Sequence, residues 1–592
     1  MKPFRDIIAR LKRASFREIR HRANRYLFVR RLKKGIQHDN RPYKIPKIGT
    51  DVLNGLILPD IAGHTSEDTV EALLDGKRFC LNFDSSDIRS FEKKYRHRLF
   101  PDIRLSDQNP DIRAVWEPAR LQHLSILLKH GRLHPDPDRK QVVLNTVRKE
   151  LLEWCTVNPF PKGPNYMSPM ECGLRIPALV YCLKYNTLFS GENRRAIIGL
   201  IFEHAWLIEN RLSLYSSRGN HTISEAIGLI FAGGVYRYVD IGKRWLDTGV
   251  RLLENELSHQ MHKDGGPAEQ SLSYHRFVLD LYWLAMDFLE TNRVYDCGSW
   301  NVRLMAGEAF SHTLSDGLEE FRVGDSDDGH AIAPGLFPKS RPPVKAPTGI
   351  FTFLDTGYTI IRNEIVFLVF DHAPLGMPPL YNHGHADALS VMLAIHGRQL
   401  LIDPGTYRYN GTPGFRRYFK GTRAHNTVLV DGRDQAVQET GFVWSKPYAC
   451  DLQNHVHDGN DVSITASHNG YARFQNPVLH RRTVEYRYPS VIVITDRFSG
   501  TGVHRFELNY HLHPDVVPVR KGDWWRLCRN DAEAYIKLAG HRLNLVKGQK
   551  QPLMGWFSPG YNLLLPTNVL THERQGPPNA IAFKTVIFTD AR

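Results

Sequence analysis

Residues 381–431 read YNHGHADALSVMLAIHGRQLLIDPGTYRYNGTPGFRRYFKGTRAHNTVLVD, and the rest of the chain is organised around this stretch. His383, His385 and Asp387 alternate along what reads as the entry to a strand, where a period of two points all three to one face. Asp403 follows the apolar run QLLI, and His425 precedes the strand-like NTVLV. Two imidazoles and a carboxylate, His385, Asp403 and His425, would make a three-ligand site with an open fourth position, which suits zinc. Their separations of eighteen and twenty-two residues suit neighbouring strands of one sheet. Spacing that wide is not a metal motif by itself, and polar residues at strand ends are the competing reading.

Outward from this stretch the chain changes period. Residues 331–348, AIAPGLFPKSRPPVKAPT, form a Pro-rich break and the best domain boundary. Beyond it FTFLDTG, YTIIR, IVFLVFDH, NTVLVD, TVEYRY, SVIVITDRFSG, RFELNYHLH, YIKLAG, YNLLLPTN and AIAFKTVIFTD read as short strands with turn residues between them. That spacing predicts an antiparallel β-sandwich. Before the break the pattern is helical. Segments near 117–130, 142–156, 170–187, 194–212, 222–233, 243–258, 271–290 and 301–315 carry apolar residues at i, i+3, i+4 spacing, joined by short connections. Eight consecutive helices with short loops predict antiparallel hairpins, closed as a toroid or stacked as a solenoid. The expected division is a basic helix and irregular lead-in over 1–110, a helical domain over 111–335 and a β-sandwich over 336–592.

A chain of 592 residues is too long for one core. Its 42% hydrophobic and 23% charged residues describe an ordinary globular protein, without an apolar run of membrane-spanning length. Seven scattered cysteines, never in a CxxC pair, argue against a disulfide framework and a cysteine zinc site. There is no Gly-rich phosphate loop, no GxSxG elbow and no nucleic-acid module. The net charge of +15 is mostly one element: residues 1–35 hold thirteen Lys/Arg against Asp6 and Glu18. Within that run Phe4, Ile8, Leu11, Ile19, Ala23 and Leu27 recur at roughly helical spacing, which predicts an amphipathic basic helix or helix pair. It is expected to dock on the body with a solvated charged face; peripheral contact with an anionic membrane surface or a polyanion is the alternative. Lacking a secretory signal pattern, the chain is expected to be cytoplasmic, with a periplasmic location as the alternative.

Three polar clusters in the helical half stand at helix starts or turns. SRGNHTISEAIGLIF places Asn220 and His221 at the head of an amphipathic helix, where Asn220 also suits a cap. DGGPAEQSLSYHRFVLDLYWL puts Gln270, Tyr274 and His275 after a Gly-Gly-Pro turn, with Tyr274 also fitting the apolar stripe of Phe277 and Val278. VGDSDDGHA, with Asp325, Asp327 and Asp328, reads alone as a turn with solvated carboxylates. Upstream, VWEPARLQH (Trp116, Glu117, Arg120) and NPFPKGPNYMSPMECGLR (Asn165, Glu171, Arg175) mix aromatic, amide and basic groups that suit carbohydrate and carboxylate contacts.

Together, Gly-His-Ala-Asp-Ala-Leu-Ser, Leu-Ile-Asp-Pro-Gly-Thr-Tyr and Ala-His-Asn-Thr-Val, with these clusters in the same order, resemble the heparinase II/III family of polysaccharide lyases over about residues 110 to 590. The resemblance implies an (α/α) toroid followed by an antiparallel β-sandwich, and β-elimination at a uronic acid of an anionic polysaccharide or oligosaccharide. The proton on C5 is removed, the oxygen on C4 departs, and a 4,5-unsaturated sugar remains. Such chemistry needs donors to neutralise the uronate carboxylate, a base for the proton and an acid for the leaving oxygen. By resemblance Asn220 and His221 take the carboxylate, Tyr274 is base, acid or both, and His383 is the partner base. Trp116, Glu117, Arg120, Asn165, Glu171, Arg175, Gln270 and His275 fall to substrate binding, and Arg120, Arg175 or His275 would supply the positive potential that a basic tyrosine needs. Zinc on His385, Asp403 and His425 would order the loop carrying His383, a structural role, since elimination consumes no water. A glycoside hydrolase built on Asp325, Asp327, Asp328 and Glu171, or a non-catalytic binder of polyanionic glycans from capsule or exopolysaccharide metabolism, is the alternative. Glycosaminoglycans, alginate and capsular polymers all present uronates, and the sequence does not choose among them.

Overall fold

The computed structural model describes residues 15–38, 41–105, 110–315, 319, 321–343 and 346–589. The chain divides into two compact units. One is built from Met1–His259, Phe277–Asn301 and Gly329–Pro342, the other from Gln260–Arg276, Val302–Asp328 and Pro343–Arg592.

The first unit is helical. It opens with α1 (Phe16–Gln37), capped by the Ser15 side chain on the Glu18 N–H; Phe4, Ile8 and Leu11 of the expected basic helix lie outside the described residues. α2 (Glu67–Leu74) and α3 (Ser85–Tyr95) come next, capped by Ser66 and Asp84, in a region whose mixed composition hides its helices. Then come α4 (Ile112–Ala119), α5 (Gln122–Leu133), α6 (Pro137–Val157), α7 (Pro169–Tyr185), α8 (Gly191–Arg211), α9 (Asn220–Val235) and α10 (Asp240–Gln260), and then α11 (Leu272–Thr291), whose first turn is in the second unit, and α12 (Gly298–Thr313), which from Val302 is in the second unit. The segment expected as one helix near 117–130 is two. Pro118 sits in the last turn of α4 and Leu121 takes a left-handed φ of 61° before α5 begins.

Successive helices pack as hairpins, α5 on α6 and α7 on α8, and α7 also packs along α9. The α7–α9 crossing depends on two glycines. A Cβ on Gly173 would stand 2.3 Å from the Ser224 carbonyl, and one on Gly228 would stand 2.6 Å from the Gly173 Cα. Hydrogen in place of a side chain lets the two backbones touch, and this brings Glu171 beside the start of α9. Ile176, Leu179, Ile201, Ile208, Ile223, Ile227 and Ile230 are buried around this crossing. A two-stranded ribbon, β1 (Ile61–Gly63) with β2 (Leu336–Pro338), completes the unit.

The second unit is built on three antiparallel sheets. The first is a five-stranded meander of β3 (Gly349–Phe353), β4 (Tyr358–Arg362), β5 (Val366–Asp371), β6 (Val391–Ile395) and β7 (Arg398–Leu401). Its middle strands are buried on both faces, which is why IVFLVFDH reads as a continuous apolar run rather than an alternating one. Val366, Leu368 and Phe370 enter the main core. Phe367 and Val369 enter a second core with Leu272, Phe310, Phe321 and Val323. The segments Gln260–Arg276 and Val302–Asp328 therefore belong to this unit because they cover the outer face of its sheet.

After α13 (Pro413–Lys420) and β8 (Val428–Val430) the chain forms β9 (Cys450–Asp458), β10 (Asp461–His468), β11 (Val478–Arg487), β12 (Val491–Gly500), β13 (His504–His511), β14 (Val517–Lys521), β15 (Trp524–Arg529), β16 (Ala532–Leu538), β17 (Asn544–Lys547), β18 (Asn568–Gly576) and β19 (Ala582–Thr589). The order β9-β10-β11-β12-β19-β16-β15-β14 makes an eight-stranded sheet, and β17-β18-β13-β8 a four-stranded one. β11, β16 and β19 bury alternate residues, the pattern of a sheet with one face on the core. Two expectations fail here. YNLLLPTN is mostly loop, with Leu565–Pro566 in a short pairing and Asn568 opening β18. The segment holding His383, His385 and Asp387 is irregular, and the strand begins only at Val391.

Candidate active site and metal centre

The polar centre of the β unit is Asp325, a residue that sequence reading treats as a turn carboxylate. It is fully buried, and Arg416 on α13 grips it with two hydrogen bonds of 2.5 and 2.6 Å. The same two oxygens accept from imidazoles: Oδ2 from His383 Nδ1 at 3.2 Å and Oδ1 from His385 Nε2 at 3.1 Å. Two residues on either side of Gly384 thus share one carboxylate. Gly384 permits it, since a Cβ there would stand 1.6 Å from the Leu375 carbonyl oxygen. Burial opposes ionisation of Asp325, but Arg416 and the two histidines outweigh it and hold the carboxyl well below its usual range.

On one side of Asp325 lies a metal-ligand constellation. His385, Asp387, Asp403 and His425 each offer one donor atom, all within 4.8 Å of one another. His385 Nδ1 and His425 Nε2 are 3.2 Å apart, and His425 Nε2 and Asp403 Oδ2 are 3.4 Å apart. A tetrahedral ion with bonds of about 2.0 Å has edges of roughly 3.3 Å, so these separations fit. Each imidazole turns its other nitrogen to a fixed acceptor, His385 to Asp325 and His425 to the Gly421 carbonyl at 2.9 Å, as metal-ligating histidines do. Burial pushes the Asp387 carboxyl up to about 7 and the His385 imidazole down to about 4. Asp387 adds a fourth donor to the three that the sequence reading names. His425 does not lie on a strand neighbouring Asp403: Asp403 comes after β7 of the five-stranded sheet, whereas His425 precedes β8 of the four-stranded one.

On the other side of Asp325 lies a tyrosine cluster. Tyr274, in the first turn of α11, packs against His383 with ring centroids 4.1 Å apart and the planes tilted by 36°. Its hydroxyl is 2.9 Å from that of Tyr409, and Tyr409 donates to Asp327 Oδ2 at 2.8 Å. Asp327 is buried, not solvated. Because the single Tyr409 proton goes to a carboxylate, the Tyr274 hydroxyl is the donor between the two tyrosines. The Arg416 guanidinium lies 4.9 Å from the Tyr409 ring centre, so the positive potential in this cluster comes from Arg416. His275, expected as a source, is buried and turned to the Gly307 carbonyl at 3.1 Å. Gln270, at a left-handed φ of 51°, donates to the Thr356 carbonyl.

In the helical unit the remaining candidates form a second network. Arg120 pairs with Glu171 through two bonds of 2.7 and 3.1 Å and with Glu117 at 2.7 Å. Arg175 is fully buried, donating to the carbonyls of Ala119 and Asn165 and bonded to His204 at 2.7 Å, with Trp154 beneath it. Asn165 donates to Asn158, and Trp116 to the Pro164 carbonyl. The charges of Arg120, Glu117 and Glu171 are therefore paired inside the unit. Gly219, at φ 140°, is the N-cap of α9, and Asn220 is its buried first residue. His221 is half-buried. Burial pushes the Glu171 carboxyl up, but Arg120, then Arg175 and more weakly His221, bring it below its usual range. The loop before α9 is tied down by Glu225, whose two oxygens accept from Ser213 N–H and Oγ at 2.7 Å each.

Two models of one family match this chain: the heparinase II/III N-terminus over residues 150–297 and the heparinase II/III-like C-terminal domain over residues 345–584. A heparin-sulfate lyase of Bacteroides stercoris is 20% identical over 404 residues, covering 64% of this chain and 58% of its own length. A heparin-sulfate lyase of Pedobacter heparinus is 22% identical over 353 residues, 52% of this chain and 48% of its own. The chain thus spans about half the length of these curated relatives. A crystal structure of heparinase III is similar over 88% of this chain and 89% of its own, with a TM-score of 0.64 at 16% identity. That likeness shows the fold class, an (α/α) toroid of helical hairpins followed by an antiparallel β-sandwich. The chain belongs to the heparinase II/III family.

Proposed function

We propose that the protein is a polysaccharide lyase that cleaves uronic-acid-containing glycans by β-elimination. One arrangement carries this reading: a tyrosine hydroxyl, Tyr274, and an imidazole, His383, packed side by side, each backed by its own buried carboxylate. With Nδ1–H donated to Asp325, His383 carries its lone pair on Nε2 and is the base that takes the C5 proton. The electrons of that C–H bond form the C4–C5 double bond, the C4–O bond breaks, and Tyr274 gives its proton to the departing oxygen. Tyr409, held by Asp327, accepts from the Tyr274 hydroxyl and so orients it. Asn220 and His221 are assigned to the substrate carboxylate on the family resemblance. Zinc suits the four donors His385, Asp387, Asp403 and His425, and its role would be to order the loop carrying His383, since elimination consumes no water. The substrate class is taken from the names of the relatives, a heparin-sulfate-type glycosaminoglycan, with alginate and capsular uronates as competitors.

Hydrolysis would need one carboxyl kept protonated as an acid, whereas Arg416 holds Asp325 ionised. The test is ultraviolet absorbance of the conjugated uronate on a panel of uronic-acid polymers. Absorbance should rise with the intact protein, and Tyr274→Phe and His383→Ala should each lower the rate by about 10²–10⁴-fold with the unfolding midpoint retained. New reducing ends without absorbance would replace this reading with a hydrolase; inertness towards every polymer, with binding retained, would replace it with a carrier.

A further inference from the structure

The first helix has two faces, and only one of them is used by the fold. His21, Phe28 and Leu32 point inward: His21 Nε2 bonds the Leu212 carbonyl at 3.0 Å, Phe28 packs on Trp206 with ring centroids 4.9 Å apart, and Leu32 is buried. Glu18, the single acid of α1, is consumed by Arg22 and Ser216 on this inner side, and Lys33 is paired with Asp102. The helix is thereby fixed in rotation. Its outer face carries more than the solvated charge that a docked basic helix is expected to show. Phe16 is 81% exposed, Tyr26 62%, Leu27 45% and Ile19 40%. At 100° per residue Phe16, Ile19, Ala23 and Leu27 fall on one stripe. Arg17, Arg20, Arg30, Arg31 and Lys34, all exposed, lie along and beside it. The residues ahead of α1 continue the same composition, with Phe4, Ile8 and Leu11 among Lys2, Arg5, Arg10, Lys12 and Arg13.

We infer that the outer face of α1 is a peripheral membrane-binding surface for an anionic lipid bilayer. Large apolar side chains held out to solvent on a rigid helix, flanked by cations with no acid among them, match the boundary between headgroups and acyl chains. A polyanionic glycan would use the arginines but leave Phe16, Ile19 and Leu27 in water. A second copy of this chain would bring the same cations together without a carboxylate to meet them. This surface shares no residue with those assigned to catalysis, so it localises the protein without altering the chemistry.

Co-sedimentation of the full chain with vesicles tests it. Binding should occur on phosphatidylcholine vesicles containing phosphatidylglycerol, be absent from pure phosphatidylcholine, and weaken as salt rises. Phe16→Ser with Leu27→Ser, and separately Arg30→Glu with Arg31→Glu, should each reduce it about tenfold or more, with the unfolding midpoint kept as the control for folding. Failure of the intact chain to bind anionic vesicles overturns the inference. So does binding that survives Phe16→Ser with Leu27→Ser, the signature of a polyanion site, which retention on immobilised heparin would then identify. Concentration-dependent dimers abolished by the same double substitution, without vesicle binding, would reassign the face to self-association.

Discussion

Both units bury an arginine gripping a carboxylate with two hydrogen bonds, Arg120 with Glu171 among the helices and Arg416 with Asp325 among the sheets. The geometry is nearly the same, yet the surroundings give the pairs different work. Glu171 spends its oxygens on Arg120, and Arg120 finds a second acid in Glu117. That network serves as a strut beside the start of α9, within reach of His221. Asp325 also accepts from two histidines, one in the metal-ligand set and one packed against Tyr274. The charge that would otherwise be only structural therefore fixes two tautomers at once. A buried ion pair becomes part of a site when its acceptor has lone pairs left over.

The largest expected effect comes from removing one carboxylate of each pair. Asp325→Asn and Glu171→Gln each leave a buried guanidinium without its full charge partner, a loss of about 3–5 kcal/mol. Urea unfolding should show comparable destabilisation for both. Their effects on the site should differ: Asp325→Asn also loosens His383 and His385, so lyase rate and bound metal fall together, whereas Glu171→Gln keeps its metal. Metal analysis of the two purified variants decides this. Equal metal content in both would break the contrast between strut and hub.

The sequence places Arg120 and Glu171 in its helical pattern but reads them as substrate contacts, not as a strut. Helices at i, i+3, i+4 spacing declare themselves, and the clusters around Glu171 and Arg120 sit within that pattern. The break at Leu121 is hidden because its left-handed residue is a leucine, not a glycine. Among the sheets, strands with apolar runs or alternation are legible. β9, with no buried residue, is not, and YNLLLPTN misleads because its Leu563 and Leu565 are exposed. The histidines and Asp403 stand out by residue type. Asp325 and Arg416 do not, since they are 91 residues apart and meet only through tertiary structure. VGDSDDGHA looks like a turn and GFRRYFK like a solvated basic helix until folding buries both partners. Tyr409 sits in a run, GTYRYNG, that has no period to point its ring anywhere.

A smaller effect separates two buried carboxylates rather than two pairs. Asp325 is driven down because Arg416 touches it. Glu225, equally buried, is pushed up to about 7, chiefly by burial; Ser213 pulls it down by hydrogen bonding, and Arg25 and Arg211 add only through-space attraction. The sign comes from linkage. An unfolded glutamate ionises near 4.5, so below that pH Glu225 is protonated in both states and costs nothing. As pH rises from about 4.5 to about 7, the unfolded chain releases the proton while the folded one keeps it, and stability declines. The loss is complete above the folded value and amounts to at most about 3 kcal/mol. Glu225→Gln keeps an acceptor for the Ser213 N–H and a donor for its Oγ but removes the titration. Near pH 4.5 the variant and the parent should therefore unfold at similar urea concentrations, and the variant should gain steadily up to pH 8. Parallel pH profiles would mean that Arg25 and Arg211 neutralise Glu225 as fully as Arg416 neutralises Asp325.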